Sequence, residues 1–235
     1  MSKIIAITGA NGSGKTATAI QLALACEAKK ETVLLVFGDS VLPPKAYLCK
    51  PDDAISLGQL LTMLNLTDKI ILESVTTITA NMGIIGYCAG ETGKDYPQVT
   101  RTGTTRFLDE ISIMADTIIF DITRSEDLFS QVVLDKADIV LQVINATVKG
   151  AAWCKKNRQY LERKTKWVLN DVRREQALEA FPNEESIVLP HALKLAENIE
   201  EMSAFQKISD KRYCKAMEIL YQKIAIQKKN IRMVR

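Results

Sequence analysis

Histidine is scarce, and the cysteines are not arranged as a metal site. The chain of 235 residues has one histidine and five cysteines, an odd number, and no two cysteines stand in a C-x-x-C pair. This pattern argues against a zinc site and against a disulfide framework, and it predicts reduced, mostly buried thiols. The cysteines are Cys26, Cys49, Cys88, Cys154 and Cys214.

Long apolar runs and linker segments are missing as well. No apolar run reaches 18 residues, so the sequence predicts no membrane-spanning helix. Glycines interrupt the first apolar run at once, which is unlike a secretory signal, and we expect a cytoplasmic protein. No stretch rich in Gly, Ser or Pro divides the chain, so we predict one domain over residues 1–235.

Charge is unevenly distributed along the chain. The overall net charge is +3, but residues 207–235 contain nine Lys or Arg against two acidic residues, a local charge of +7. The rest of the chain therefore carries −4. We expect a mildly acidic body with a basic C-terminal helix and tail at about 207–235.

One strong motif is present, Gly9–Thr16, which reads G-x-x-x-x-G-K-T. It follows a short apolar run, Lys3–Thr8, and precedes a segment rich in helix formers, Ala17–Ala28. A strand, a glycine loop and a helix N-terminus form a phosphate-binding P-loop, because backbone N–H groups and the helix dipole point at the anion. The motif predicts that Lys15 reaches the β- and γ-phosphates and that the Thr16 hydroxyl binds Mg²⁺.

Apolar β-rich runs alternate with helical segments through the whole chain. Strands are predicted at about 3–8, 32–37, 82–88, 117–121, 139–144, 166–169 and 186–189. Helices are predicted at about 17–28, 56–64, 107–115, 126–136, 149–163, 175–181, 192–204 and 210–229. This alternation predicts an α/β, single-domain P-loop NTPase fold, with a mostly parallel sheet and helices on both faces.

Two aspartates follow predicted strands. Asp121 ends the apolar run Thr117–Phe120, which is the Walker B pattern, and such an Asp holds Mg²⁺ beside a P-loop. Asp39 follows another buried run, at the strand edge where open α/β sheets bind ligands. The alternative for each is an ordinary acid that ends a strand.

The longest loop-like segment spans residues 89–106. A loop of this length in a compact domain is usually functional or mobile. Arg101 and Arg106 lie in it, and they either meet a phosphate or a partner chain, or are solvated arginines.

Taken in order, these residues resemble the MinD/ParA group of P-loop ATPases, including pilus-assembly ATPases of the CpaE/TadZ kind. The resemblance covers nearly the whole chain. The motifs that carry it are the P-loop, V-L-L-V-F-G-D at 33–39, T-I-I-F-D at 117–121, A-D-I-V-L-Q-V-I-N at 137–145 and W-V-L-N-D at 167–171, with weaker counterparts at 56–61 and 84–87.

The resemblance implies a nucleotide site for ATP or ADP with Mg²⁺. It assigns Asp39 to positioning the attacking water, Asp121 to the metal, Asn170 to adenine, and Pro190 to the other side of the base. Lys15, Asp39 and Asp121 are the expected catalytic residues, and Thr16, Asp39 and Asp121 the expected metal site. The loop residues expected around the phosphates are Gly9, Ala10, Asn11, Gly12, Ser13, Gly14, Lys15, Thr16 and Ala17.

Three positions depart from the family pattern. The family's signature lysine, which reaches a dimer partner's phosphates, is replaced by Ala10. The first aspartate of the usual D-x-D is Phe37, and the switch after Asp121 reads Ile122–Ser125. Since one cationic contact to a transition state contributes several kcal/mol, we expect ATP hydrolysis that is slow or stimulated by a partner.

The C-terminal helix at 210–229 is amphipathic and basic. Tyr213, Met217, Leu220 and Ile224 fall on one face. Such a helix binds an acidic membrane at the inner face, or binds DNA, or packs its apolar face on the sheet.

Three functions remain open from the sequence. The first is an ATPase that positions or assembles a larger apparatus, such as a pilus, conjugation or partitioning system, through a protein partner and a homodimer. The second is a nucleotide-binding scaffold that does not hydrolyse ATP. The third is a small-molecule kinase or ligase on the same fold, which no substrate-binding residues support.

Overall fold

The structure is a computed structural model that describes residues 2–50, 53–91, 95–124, 126–157, 164–173, 181 and 186–232, without the side chains of 226–232. Residues 175–180 of the predicted helix 175–181, the end of the predicted helix 149–163, and Ser125 of the switch segment lie outside these residues. Residues 233–235 of the basic tail also lie outside them.

Eight strands form one sheet in the order β3-β4-β2-β5-β1-β6-β7-β8. All neighbours are parallel except β3, which is an antiparallel edge strand beside β4. The strands are β1 Lys3–Gly9, β2 Val33–Phe37, β3 Thr76–Thr79, β4 Met82–Gly86, β5 Thr117–Asp121, β6 Ile139–Asn145, β7 Thr165–Val172 and β8 Ile187–Pro190. The continuous apolar runs occur here because these strands are covered on both faces.

Helices connect most of the strands, as expected for crossovers between parallel neighbours. They are α1 Lys15–Glu27, α2 Pro44–Leu48, α3 Leu57–Thr62, α4 Asp68–Ser74, α5 Arg101–Ile111, α6 Leu128–Lys136, α7 Val148–Asn157, α8 Leu193–Glu200 and α9 Lys211–Arg232. Ser56 is the N-cap of α3: its hydroxyl accepts from the Gly58 N–H at 3.2 Å, and the Gln59 side chain accepts from the Ser56 N–H at 3.0 Å.

Two apolar clusters lie on opposite faces of the sheet. Successive strand residues point to opposite faces, so Leu35 and Phe37 join one cluster while Leu34 and Val36 join the other. The first cluster contains residues of α1 and α9, and the second contains residues of α3, α5 and α6. The predicted single-domain α/β fold with helices on both faces is therefore confirmed.

The C-terminal helix α9 belongs to the first cluster. Tyr213, Met217, Leu220 and Ile224 are each at most 4% exposed, and they pack among residues of α1 and β8. Up to Ile224, the apolar face of α9 is therefore used by the core. The basic side chains of Lys211, Arg212 and Lys215 remain exposed.

The prediction of a loop through residues 101–106 is wrong. Helix α5 begins at Arg101, and the Thr100 side chain caps it by accepting from the Gly103 N–H at 3.0 Å. Gly103 weakens the helical pattern in the sequence, but its missing side chain lets α5 approach the backbone of Leu61 closely. The sequence shows only that Gly103 is a poor helix former. The reason for a glycine at this position is its contact with Leu61, which the sequence does not show.

Both loop arginines have partners within the chain. Arg101 pairs with Asp135 at 3.3 Å. Arg106 donates to the carbonyls of Met63 at 2.9 Å and Leu64 at 2.6 Å, just after α3 ends. The phosphate-contact alternative for these arginines is not supported.

Candidate nucleotide site

The predicted site residues meet at one edge of the sheet. They lie at or near the carboxyl ends of five parallel strands: the P-loop follows β1, Asp39 follows β2, Asp121 and Pro190 are the last residues of β5 and β8, and Asn170 is near the end of β7. Ligands of open α/β sheets bind at this edge, outside the strand ends.

The P-loop leads directly from β1 into α1. Its beginning is held to β6, because the Ala10 N–H donates to the Val143 carbonyl at 3.2 Å. Gly14 is the N-cap of α1 with a φ of 85°, a left-handed conformation that favours glycine. A glycine offers no side chain to the free N–H groups of the helix, and the first turn contains no acid. The helix N-terminus is therefore available to an anion.

Lys15 lies within this loop instead of extending into solvent. The residue is 6% exposed, and its Nζ donates to the Ala10 carbonyl at 2.9 Å. Burial lowers the pKa of Lys15, while the nearby charges of Asp121 and Asp39 act in the opposite direction. The cation is thus held among two carboxylates and the loop backbone.

The half-buried Thr16 and the buried Asp121 form a hydrogen-bonded pair. The Thr16 hydroxyl donates to Asp121 Oδ2 at 2.6 Å, and Asp121 is 1% exposed. Burial raises the pKa of Asp121 to about 6, against the lowering effects of the Thr16 hydrogen bond and the Lys15 charge. Its other oxygen, Oδ1, is buried and has no hydrogen-bond partner among the described residues. A buried, unpartnered carboxylate oxygen is costly unless a cation or donor satisfies it.

Asp39 lies at the end of β2 across the cleft. Its Oδ1 accepts from the N–H groups of Val41 at 2.8 Å and Leu42 at 3.1 Å, which fixes the turn after the strand. The cleft between Asp39 and the P-loop has a volume of about 570 Å³. We call it the phosphate half of the site. Its lining is Asn11, Gly12, Gly14, Lys15, Thr16, Ala17, Asp39, Val41, Leu42, Tyr47, Leu48, Thr123, Arg124 and Ile199.

A second cleft, of about 230 Å³, lies on the other side of the P-loop. It shares Gly12, Gly14, Ala17 and Ile199 with the phosphate half, so the two clefts adjoin. We call it the base half. Its remaining lining is Ser13, Asn145, Asn170, Asp171, Arg173, Pro190, His191, Ala192, Leu195, Ala196 and Tyr213.

Asn170 connects the base half to the P-loop. Its Nδ2 donates to the Ser13 carbonyl at 2.8 Å, and the residue is 7% exposed. The amide therefore supports the loop backbone in addition to lining the cleft. Adenine recognition by Asn170 stays a prediction.

Asp171 and His191 were not predicted as site residues. The Asp171 backbone has a φ of 59°, and its Oδ1 lies 2.5 Å from His191 Nδ1, with Arg173 Nε at 3.7 Å. The pair joins the ends of β7 and β8 at the wall of the base half. The only available signal is local: Asp171 follows Asn170, and His191 follows Pro190.

Ala10, at the position of the missing family lysine, faces an apolar cluster. Its side chain packs with Trp153 against a group that includes Trp167 and Leu169. The two tryptophan rings meet edge to face, with centroids 6.0 Å apart. The P-loop therefore contributes one cation, Lys15, to the phosphate half.

The segment after Asp121 is anchored and then enters the cleft. Ile122 is fully buried, and its N–H donates to the Ile7 carbonyl at 2.8 Å. Thr123 and Arg124 come next and line the phosphate half. Arg124 was noted in the sequence as part of an altered switch, but it was not predicted as a site residue.

Solved structures of MinD and ParA proteins share this fold. The septum site-determining protein MinD from Pyrococcus horikoshii OT3, complexed with Mg-ADP, matches with a TM-score of 0.73 at 18% identity, over 95% of this chain and 96% of that chain. A ParA family ATPase from Chlorobium tepidum TLS matches with a TM-score of 0.73 at 15% identity, over 94% and 99%. A chain of the MinC:MinD cell division protein complex from Aquifex aeolicus matches with a TM-score of 0.71 at 16% identity, over 95% and 96%.

Sequence comparisons add no closer relative. No protein-family model matches the chain, and no curated protein matches it. The structural likeness confirms the predicted resemblance to MinD and ParA ATPases at the level of the fold. Within the described residues, no helix is both long and apolar enough to cross a membrane.

Proposed function

We propose that this chain is a MinD/ParA-like protein that binds ATP and Mg²⁺ and hydrolyses ATP slowly. The observation that carries the proposal is the phosphate half of the site, where an uncapped helix N-terminus and a buried lysine adjoin the hydrogen-bonded pair of Thr16 and buried Asp121. Cation, helix dipole and loop N–H groups all favour a bound phosphate chain.

The residues present fit a magnesium ion. Thr16 and Asp121 offer a hydroxyl and carboxylate oxygens, which are the ligands that Mg²⁺ prefers. The unpartnered Oδ1 of Asp121 is an acceptor that the protein leaves unsatisfied among its described residues. Mg²⁺ bound here would neutralise charge that develops on the phosphates. Asp39, across the cleft, is the further metal-site residue that we propose.

The side chains divide the work of hydrolysis. Lys15 leaves the Ala10 carbonyl and pairs with the β- and γ-phosphate oxygens, where it stabilises charge that spreads over the γ-phosphoryl group. Asp39 orients the attacking water for in-line attack. Because position 10 is Ala, no lysine from this position can stabilise the transition state. ATP hydrolysis is therefore slow or depends on a partner.

The base half takes the nucleobase. We propose that adenine lies between Asn170 and Pro190, which both line that cleft. The Nδ2 of Asn170 already donates to Ser13, so its Oδ1 is the atom that would accept from the amino group of adenine.

The biological role that we propose is positioning or assembling a larger apparatus, such as a pilus, conjugation or partitioning system. The structural neighbours include a septum site-determining protein and a cell division complex with MinC. By analogy, we propose a homodimer and a protein partner for this chain, a cytoplasmic location, and contact with an acidic membrane or DNA through the basic C-terminal segment. Since the apolar face of α9 is buried as far as Ile224, such contact would be mainly electrostatic.

A second function, a nucleotide-binding scaffold that does not hydrolyse ATP, is favoured by one observation. Ala10 packs into an apolar cluster, so the site has no family lysine for catalysis. This alternative and the ATPase predict the same binding and differ only in turnover.

Calorimetry with ATP, ADP and GTP, with and without Mg²⁺, tests the binding proposal. We expect binding of ATP that Mg²⁺ strengthens, and a loss of about 100-fold in Lys15→Ala, because a buried charge pair loses one partner. Lys69→Ala, which removes an exposed lysine on α4, is the matched control and should bind as the wild type does. Binding that survives Lys15→Ala would contradict the phosphate site, and equal affinity for ATP and GTP would contradict adenine recognition by Asn170. Phosphate release that Lys15→Ala abolishes would favour the ATPase over the scaffold.

A further inference from the structure

We infer that Arg124 is the second cation of the phosphate half and contacts the γ-phosphate of a bound nucleoside triphosphate. The inference rests on the proposed nucleotide site and goes beyond it by naming a residue that distinguishes ATP from ADP. It depends on four observations about charge, position, partners and the opposite wall of the cleft.

The first observation is the charge of the phosphate half. Asp39 and Asp121 contribute two carboxylates, and Lys15 contributes a single ammonium group. Without Arg124, these groups leave the cleft negative, which is unfavourable for an anionic ligand. With Arg124 in the lining, the charges balance before any metal enters.

The second observation is the anchor that precedes Arg124. Ile122 is fully buried, and its N–H is bonded to the Ile7 carbonyl on the strand that leads into the P-loop. Two residues of chain span at most about 7 Å, so Arg124 cannot move far from the loop. Its side chain is exposed at the rim of the cleft.

The third observation is that Arg124 makes no ion pair or side-chain hydrogen bond within the described part of the chain. Three other described arginines have side-chain partners: Arg101 pairs with Asp135, Arg106 binds two carbonyls, and Arg173 lies near Asp171. The side chain of Arg212 has no ion pair or hydrogen bond in the described part of the chain either, but it lies on α9 and not in the cleft. An unpaired guanidinium in a cleft is free to take a phosphate, for which its planar set of donors is well suited.

The fourth observation concerns the opposite wall. The P-loop offers no second cation, since Ala10 packs into its apolar cluster and Asn11 is neutral. Arg124 follows β5, the strand beside β1 that ends at Asp121. It therefore approaches the phosphate chain from the same side as Asp121. The terminal phosphate extends furthest toward this side, because the base half lies beyond the other side of the P-loop.

Calorimetry on Arg124→Ala and Arg124→Lys, with Mg²⁺ and either ADP or a nonhydrolysable ATP analogue, tests this inference. We expect Arg124→Ala to weaken the triphosphate analogue by about 10- to 100-fold, as expected for a charge-assisted contact, and to leave ADP affinity within about twofold. Arg124→Lys should recover part of the loss. Arg212→Ala, which removes an exposed arginine on α9, is the matched control and should change neither affinity.

The outcomes separate this inference from the proposed function. An Arg124→Ala variant that binds both nucleotides as the wild type does, or that weakens both equally, would overturn the γ-phosphate contact while the nucleotide site stands. A wild-type protein that binds neither nucleotide would overturn the site and the inference together. Circular dichroism of each variant shows whether it has folded. If Arg124→Ala does not fold, the affinity of Arg124→Lys for the triphosphate analogue and for ADP tests the contact instead.

Discussion

The two halves of the cleft are built in different ways. The phosphate half takes most of its chemistry from one short segment, Gly9–Ala17, with one aspartate from each of two neighbouring strand ends. The base half is assembled from β6, β7, β8, α8 and α9, which are far apart in the sequence. The first half is charged, and one of its buried carboxylate oxygens has no partner among the described residues. In the second half the polar side chains of Asn170, Asp171 and His191 bond to one another or to the backbone, while the hydroxyls of Ser13 and Tyr213 are buried without a partner in the described part of the chain.

The two halves therefore differ in whether their polar groups serve a ligand or stabilise the fold. In the phosphate half, the buried charges of Lys15 and Asp121 raise the free energy of the folded protein and are useful only when a ligand is present. In the base half, the polar contacts stabilise the fold whether or not a ligand is bound. Substitutions in the two halves should therefore change stability in opposite directions.

Gly14 lies where the two halves meet, and its substitution should have the largest effect. A methyl group at Gly14 would meet the Asn170 side chain, in a left-handed conformation that alanine adopts poorly. We expect Gly14→Ala to lower the free energy of unfolding by about 3 kcal/mol, from strain and from the displaced Asn170 amide. Gly90→Ala is the control, because Gly90 has a φ of 80° and open space around it, so only about 1 kcal/mol of strain is expected. Denaturant melts measure both, and equal losses would show that the contact with Asn170 is unimportant.

Asp121→Asn should instead stabilise the ligand-free protein. The folded-state pKa of about 6 lies above the ordinary value of 3.8, so between these pH values the folded chain binds more protons than the unfolded chain. Stability of the wild type should therefore fall as pH rises from about 4 to 6, and part of this slope should disappear in Asp121→Asn. A shift of this size, in which the Lys15 charge is already included, corresponds to about 3 kcal/mol, so the gain expected for Asp121→Asn at pH 8 is somewhat below about 3 kcal/mol.

The measurement is a set of denaturant melts from pH 4 to 8 in a chelator, followed by nucleotide titrations with Mg²⁺. Asp121→Asn should lose the Mg²⁺ dependence of nucleotide binding while it gains stability. A variant that is less stable than the wild type at pH 8 would contradict the assignment of Asp121 to the costly half of the cleft.

Asn170→Ala should destabilise the protein moderately. It removes the donor to the buried Ser13 carbonyl, which we expect to lower the free energy of unfolding by about 1 kcal/mol. Asn157→Ala is the matched control, since Asn157 Nδ2 also donates to a backbone carbonyl, at 2.8 Å, but within α7. If Asn170→Ala unfolds as the wild type does, the supporting role of Asn170 is wrong. If Asn170→Ala keeps a preference for ATP over GTP, adenine recognition by Asn170 is wrong.

His191→Ala should have the smallest effect. The side chains of His191 and Asp171 are 28% and 38% exposed, and partly exposed pairs contribute about 1 kcal/mol or less. We expect a change of less than about 1 kcal/mol in thermal or denaturant unfolding. A loss well above this value would show that the link between β7 and β8 supports the whole base half.

The sequence predicts the phosphate half better than the base half for a physical reason. Strand, glycine loop and helix N-terminus are local features, so Lys15 and Thr16 are visible as a motif. Asp39 and Asp121 are visible because each directly follows an apolar strand. The bond between Asn170 and Ser13 and the pair of Asp171 with His191 depend on strand order, which alternating elements do not specify.

Two other features show where the sequence signal ends. The amphipathic pattern of α9 predicts an apolar face, but the pattern is the same whether that face meets the core or a membrane. The helix α5 was missed over residues 101–106 because Gly103 reflects a close helix contact that is not local. In both cases the sequence does not show which part of the fold the helix packs against.

The hydrogen bond from Lys15 to the Ala10 carbonyl makes phosphate binding an exchange rather than an addition. The lysine acts as an internal ligand of its own loop, so its ammonium group is already engaged. An incoming anion would have to compete with that carbonyl, and its affinity would reflect the difference between two bonds. A phosphate chain that also reaches the metal and the helix N-terminus would gain further contacts, which a small anion with a single contact lacks.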